Sequence, residues 1–362
     1  MRTWRCLAVR LFACLWVASA GCAPAAPSAA TPGAQPTGAA AAPASSGERP
    51  PASPSVAREP VPIESGVVSL TLGYWPTWVA EALGFFADES IQHETTVSRA
   101  MPAGLSALAG GSIQLFGGSL TATIQAIERG GDLVVVAANQ NDPAYSLIAR
   151  PDIATVEELR GRTVAVSALN GGDTVVLLRR MLPARGLREN DVDLILVGGT
   201  PERYAALTSG GAAATLLLQP QDFQALAQGY RRLMLSSEVL QEYVFNAWIT
   251  RRDWARAHDD ALVRWIRAHA RALRWLNDPA NREPAIAIGA ERTRTEPELV
   301  RQTYDLYFSP PPSRVIPPDP SLDLHGMRVV LDDMVAAGDL PAPAPPPEKY
   351  LDTSYLERAQ AR

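Results

Sequence analysis

The sequence predicts an α/β protein of two lobes, each a mostly parallel sheet flanked by helices. Three observations carry this expectation. Strand-like and helix-like segments alternate from about residue 66 to about residue 245. The strand-like runs are apolar without polar alternation, as in sheets covered on both faces. The roughly 297 residues beyond the N-terminal region exceed what one core usually holds.

Taken in order, the chain opens with a positive segment, Arg2, Arg5 and Arg10, and a short apolar run, Leu11 to Val17. That run is too short to span a bilayer and reads as the core of a signal peptide over 1–21. Two endings are open. Ala18-Ser19-Ala20 fits ordinary cleavage. Ser19-Ala20-Gly21-Cys22 resembles a bacterial lipobox with Ser19 where Leu is usual, and it would leave Cys22 as a lipidated first residue. The next 40 residues, Ala23 to Pro62, contain 13 Ala and 10 Pro. Such composition favours extended, solvated chain. A tether over 22–65 directly after a cysteine favours the lipidated ending.

The first strand is expected over Val67–Leu72, and a loop, Gly73-Tyr74-Trp75-Pro76, follows it. A helix runs through Ala80 and Leu83, and another through Gly104–Ala109. Ile113–Phe116 is a strand, Thr121–Arg129 a helix, and Leu133–Ala138 and Tyr145–Ala149 are strands. Thr155 with Glu158 forms a capping box. Thr163–Ser167 is a strand, 173–186 a helix and Asp193–Val197 a strand. Thr200-Pro201 starts a helix with proline in its first turn. Ala214–Leu218, Asp222–Gln228 and Arg232–Leu235 complete this series as strand, helix and strand. The final third is mostly helical. Leu262, Trp265, Ile266, His269, Leu273 and Leu276 share an apolar stripe, with His269 a packed residue. Arg264, Arg267, Arg271 and Arg274 form the solvated back. Thr295 with Glu298 is a second capping box.

Composition excludes several functions. With 47% hydrophobic residues the chain has material for a core. Acidic residues outnumber basic ones, 38 to 33, so nucleic acid is not an expected partner. Lys349 is the sole lysine, which reflects genome composition and carries no function. No apolar run after the N-terminus is long enough for a spanning helix. The three cysteines, Cys6, Cys14 and Cys22, all precede the globular region. That region therefore has no thiol nucleophile and no cysteine-ligated metal. No metal or cofactor is expected. His93, His258, His269 and His325 are scattered, and no phosphate-binding Gly-x4-Gly-Lys-Ser/Thr motif occurs.

Ordered pieces then resemble a known family. Leu72-Gly73-Tyr74, Ala80-Glu81-Ala82-Leu83-Gly84-Phe85-Phe86, and Ala107-Leu108-Ala109-Gly110-Gly111-Ser112 come first. Val156-Glu157-Glu158-Leu159-Arg160-Gly161-Arg162-Thr163-Val164, Gly199-Thr200-Pro201-Glu202-Arg203-Tyr204 and Tyr350-Leu351-Asp352-Thr353-Ser354-Tyr355-Leu356 follow. Together they are similar to type 2 periplasmic binding proteins, in the branch with nitrate, sulfonate, taurine and thiamine-pyrimidine-precursor receptors. One departure is Gly210-Gly211-Ala212-Ala213-Ala214, where the family often has Gly-x-Val-Asp-Ala. The resemblance implies two lobes, 66–145 with 246–362 and 146–245, each with a mixed sheet, joined by crossovers near 143–150 and 236–248. It also implies a small-molecule solute in the cleft, a separate ABC permease and ATPase as partners, and an extracytoplasmic location on a lipid anchor.

Ligands of open α/β sheets sit at strand C-termini and helix N-termini. That rule selects five loops. The first offers Tyr74, Trp75, Thr77 and Trp78 as aromatic walls and polar tips. The second offers Gly118, Ser119 and Thr121 at a helix start. The third, Asn139-Gln140-Asn141-Asp142, offers neutral hydrogen-bonding groups, with Asn139 and Asn141 as the candidates. The fourth offers Ser167, Asn170, Gly171, Gly172, Asp173 and Thr174, where Asp173 caps the helix and disfavours an anion. The fifth offers Gln219 and Gln221. None of the five carries Lys or Arg, which favours a neutral organic solute, aromatic ones included, over a strong small anion, with a neutral or cationic group expected beside Asp173. Two alternatives remain beside the receptor: an enzyme on the same fold acting on a sulfur- or pyrimidine-containing compound, and a ligand sensor acting in trans. The missing cysteines argue against the first, and the second lacks an output segment.

Overall fold

In the computed structural model, residues 58–169 and 172–361 are described. The expected signal peptide, Cys22 and the Ala/Pro-rich segment up to residue 57 lie outside the described residues. The first strand, β1, is Val61–Val67, six residues earlier than its expected start. The expected tether therefore ends sooner. Val67–Leu72 has the better strand composition, but pairing decides the matter. β1 lies parallel to β2, Ile91–Val97, in register from Val61↔Ile91 to Val67↔Val97. β2 carries Gln92, His93, Glu94, Thr95 and Thr96 and is half-exposed, so no apolar run announces it.

β3 (Leu115–Ser119) and β4 (Leu133–Gln140) complete the first stretch of the chain's first sheet. β5 (Ser146–Ala149), β6 (Thr163–Val166), β7 (Asp193–Leu196), β8 (Ala214–Leu217) and β9 (Arg231–Leu235) form a second sheet. The chain then returns to the first sheet as β10, Asn246–Arg251, which the sequence reading did not anticipate. Strand orders are β2-β1-β3-β10-β4 and β7-β6-β8-β5-β9. β1 runs parallel to β2 and β3, and β6 runs parallel to β7 and β8. The strands next to the crossings, β10 and β5, are antiparallel to both neighbours. Each sheet is therefore mixed. A strand entered directly from the other sheet needs no helical crossover and takes the direction the connection leaves it.

Two short connections, 141–145 and 236–245, join the sheets side by side. The Ser236 N–H donates to the Tyr145 carbonyl (2.8 Å), and the Phe245 N–H donates to the Asn141 carbonyl (3.0 Å). The Ser236 hydroxyl donates to the Pro143 carbonyl at 2.7 Å. These bonds make the two passes one ribbon. They are shorter than the expected crossovers because β5 and β10 take up the flanking residues.

Helices cover both sheets. The helix Asp259–Asn277 lays Leu262, Trp265, Ile266, His269, Leu273 and Leu276 into the core, as its spacing predicts. Its arginines correct the expected solvated back. Arg264 is buried and donates to the carbonyls of Glu89 (2.6 Å) and Ser90 (3.0 Å). Arg267 pairs with Glu89 and Arg271 with Asp88. Most of the stripe thus clamps the turn before β2. Neither capping box forms as read. The Glu158 carboxylate accepts from the Ala154 N–H (2.7 Å) beside a 3-10 turn. The helix Pro297–Phe308 starts after Glu296, with Thr295 outside it.

Candidate ligand cleft

A cavity of about 60 Å³ lies between the two sheets. The first sheet's half contributes Val68, Ser69, Thr71, Tyr74, Ser119, Gln140 and Asn246. The second contributes Ser167, Gly172, Asp173, Thr200 and Arg203, and Tyr145 and Phe245 come from the connecting ribbon. These residues sit at the ends of β1, β3, β4, β6 and β7 and at the starts of the helices that follow, where the sheets turn toward one another.

On the first-sheet side the polar groups are linked. The Asn139 amide donates to the Gly73 carbonyl (3.0 Å) and to Asn246 Oδ1 (3.2 Å). Asn246 Nδ2 donates to the Tyr74 hydroxyl (3.2 Å), which donates to the Gly117 carbonyl (2.7 Å). Gly117 has to be glycine here: a Cβ would lie 2.7 Å from the Tyr74 ring. Ser119 caps the helix Leu120–Glu128, its hydroxyl accepting from the Ala122 N–H at 3.3 Å and lying 2.9 Å from Thr121 Oγ1.

On the second-sheet side, Asp173 is the first residue of the helix Asp173–Met181, and Gly172 precedes it as the cap. Among the described residues no basic side chain forms an ion pair with Asp173. Burial pushes its carboxyl up to about 6, against the opposing pull of the Ser119 hydroxyl and the Arg203 charge. Arg203, from the helix Thr200–Thr208, is almost wholly buried. Its Nε donates to the Leu216 carbonyl (3.0 Å), Nη1 to the Gly198 carbonyl, and Nη2 to Thr200 Oγ1 (3.2 Å). Its donors are therefore largely committed to the half that carries it. Burial raises the phenols of Tyr74 and Tyr145 well above their usual range, so both are neutral.

The expected site residues divide. Tyr74, Ser119, Ser167, Gly172 and Asp173 line the cavity. Thr121 and Thr174 stand behind it, Thr174 Oγ1 accepting from the Ser167 N–H at 2.8 Å. Asn139 supports Asn246 without lining the space. Gly118 packs within its own half, where a Cβ would meet Met101 and Phe116 at 2.6 and 2.7 Å. Asn170 and Gly171 lie outside the described residues.

The expected loop at 73–78 is instead a 3-10 turn, Leu72–Tyr74, running into the helix Trp75–Ala82, with Pro76 in its first turn. Trp75 is fully buried away from the cleft. Its Nε1 donates to the Ala285 carbonyl (3.0 Å), and its ring meets Tyr304 and Phe308 edge-on. Thr77 and Trp78 are buried on the same helix, Trp78 beneath an outer groove with Leu70 and Arg292. Asn141 faces a different surface, beside Asp142 and Arg314.

Gln219 also lies off the cavity. Its amide donates to the Ala144 carbonyl (2.9 Å) and to Asp222 (2.8 Å), and its Oε1 accepts from the Tyr307 hydroxyl (2.8 Å). Its backbone carbonyl accepts from the Leu72 N–H at 3.1 Å. Gln219 thus ties the two halves together. Gln221 lines no part of the cleft.

Gln140, from the expected third loop, lines the cavity, whereas Tyr145, Arg203, Phe245 and Asn246 were not anticipated. Gly198-Gly199-Thr200 carried a usable signal, because it is a glycine pair between a strand end and a helix start, like the fourth loop. Arg203 stands one turn into that helix and had no such mark.

Comparison with known proteins bears on this geometry. Residues 57–290 match the NMT1-like family. A putative binding protein of Bacillus subtilis, YtlA, is 22% identical over 288 residues, covering 77% of this chain and 84% of that protein. Among solved structures, the alkanesulfonate-binding protein SsuA of Xanthomonas axonopodis pv. citri, bound to MOPS, superposes with a TM-score of 0.65 at 22% identity. It covers 79% of this chain and 96% of its own. The periplasmic nitrate-binding protein NrtA of Synechocystis superposes at 0.69 with 15% identity, over 83% and 88%. At these identities the likeness establishes the fold: two mixed sheets flanked by helices, as in periplasmic binding proteins.

Proposed function

The chain belongs to the NMT1-like family, and on that premise we propose that it is an extracytoplasmic solute-binding protein of an ABC importer. It binds a small organic solute between two lobes, one on the first sheet from β1 onward with 246–362 and one over 146–245, and presents the closed form to a separate permease and ATPase. It performs no covalent chemistry. The observation that carries this reading is the cavity itself. Both halves wall it, and a two-pass ribbon is the covalent link between them. A solute touching both walls favours the closed state by its differential affinity for it.

A lipid on Cys22, with the Ala/Pro-rich segment as a tether, holds the receptor at the outer face of the membrane. Several acyl chains on one cysteine add about 0.8 kcal/mol per buried CH₂. The test uses the purified full chain against a broad panel of sulfonates, pyrimidines, amino acids, amines and aromatic acids. A cognate solute stabilises the fold by RT ln(1 + [L]/Kd), which raises Tm, and it shrinks the scattering radius. A flat Tm across the panel with an unchanged scattering curve overturns the receptor reading.

A further inference from the structure

We propose that the solute is a short amino alcohol or a close analogue, with a protonated amine held by Asp173 and an oxygen acceptor held by the Gln140 amide. This deepens the receptor reading and rests on it.

Size comes first. The cavity between the halves is small, about 60 Å³, and suits a solute of modest size.

Polarity comes second. Gln140 is 2% exposed, lines the cavity, and its Nε2 has no hydrogen-bond partner among the described residues. Its amide lies against Gly73, where a Cβ would come within 2.7 Å of Oε1, so the side chain is held in place by packing. A buried donor without a partner costs free energy until a ligand oxygen fills the position.

Charge comes third. The groups facing Asp173 are Arg203 from the neighbouring helix, the Ser119 hydroxyl from the opposite half, and the neutral phenols of Tyr74, Tyr145 and Tyr243. Arg203 donates to Gly198, Leu216 and Thr200. An anionic head group would meet the Asp173 carboxylate and a guanidinium with three of its five N–H groups already engaged. An ammonium meets a carboxylate that forms no ion pair among the described residues and the aromatic wall of Tyr74, Tyr145 and Phe245, a setting that favours cations.

The experiment measures binding to the full chain by calorimetry and thermal shift. The probes are ethanolamine, 3-amino-1-propanol, propylammonium, isethionate (the same hydroxyl chain with a sulfonate) and glycolamide. The amino alcohols are expected to bind, propylammonium more weakly, and the anion and the neutral amide not measurably. Asp173→Asn should weaken amino-alcohol binding at least tenfold while the protein remains folded. Gln140→Met should erase the preference for ethanolamine over propylammonium. Affinity should fall as pH drops below about 6, where Asp173 gains its proton.

Binding of isethionate or glycolamide without the amino alcohols overturns this inference and leaves the receptor reading standing. Unchanged amino-alcohol affinity in Asp173→Asn also overturns it. Silence from every probe here, with a response elsewhere in the broader panel, overturns the inference alone.

Discussion

Replacing Asp173 by Asn should make the unliganded protein more stable at neutral pH. The carboxyl ordinarily titrates at 3.8, and burial between the two halves raises it to about 6. Above pH 6 the folded protein holds an ionised group in a place that disfavours it, whereas the unfolded chain holds it in water. A shift of that size corresponds to at most about 3 kcal/mol, with relaxation of the cavity reducing it. The sign follows from proton binding. Between pH 4 and 6 the folded state retains the proton and the unfolded state does not, so wild-type stability falls as pH rises through this window.

The amide has no such dependence. The variant's advantage should therefore be absent below about pH 4, grow between 4 and 6, and level off above 6. At pH 7 it amounts to roughly 2–5 °C in Tm for a chain of this size. Paired melting curves of wild type and variant from pH 4 to 8 provide the assay. A variant no more stable at pH 7 than at pH 4, or one destabilised throughout, would refute the account of Asp173 as an unpaired carboxylate waiting for a ligand.

Other expectations follow from the same structure. Trp75→Ala should cost about 3–5 kcal/mol in urea unfolding, because it empties a core site between Tyr304 and Phe308. A loss of solute affinity with unchanged stability would instead return Trp75 to the binding wall. Ser119→Ala removes the cap of the helix Leu120–Glu128 and should cost about 0.5–2 kcal/mol, read from the same curves. Cys22→Ser, expressed in a bacterial host that processes lipoproteins, should move the protein from the membrane pellet to the soluble fraction. Continued sedimentation with membranes would argue against the acyl tether.

How legible the molecule was varies from element to element. The helix Asp259–Asn277 was plain, since six apolar residues at helical spacing leave little choice. β4, a run of eight buried residues, was equally plain over its apolar part. β2 was not, because an edge strand half in solvent carries no apolar signature and exists through its pairing with β1. The start of the helix Trp75–Ala82 was hidden by the aromatic cluster there, of which Trp75 and Trp78 resemble a ligand wall and turn out to pack inward. Loops at strand ends were found by a topological rule, and that rule brought Tyr74, Ser119, Ser167, Gly172 and Asp173 to one cavity. It could not rank residues within each loop, because rank depends on which side chains a neighbouring half already engages. Gln219 is an amide in the right loop, yet Ala144, Asp222 and Tyr307 take its hydrogen bonds.

Local chemistry along the chain determined the α/β class, the two-sheet organisation, most helices, and the loops from which a cleft is built. These depend on periodicity, turn residues and chain length, which any stretch of sequence carries within itself. Tertiary structure alone decided which groups remain unengaged in that cleft. Arg203 gives three N–H groups to Gly198, Leu216 and Thr200, while among the described residues Asp173 forms no ion pair and Gln140 Nε2 has no acceptor. The reason is physical: a polar group's availability depends on every neighbour within hydrogen-bonding reach, and most of those neighbours are brought there by distant parts of the chain.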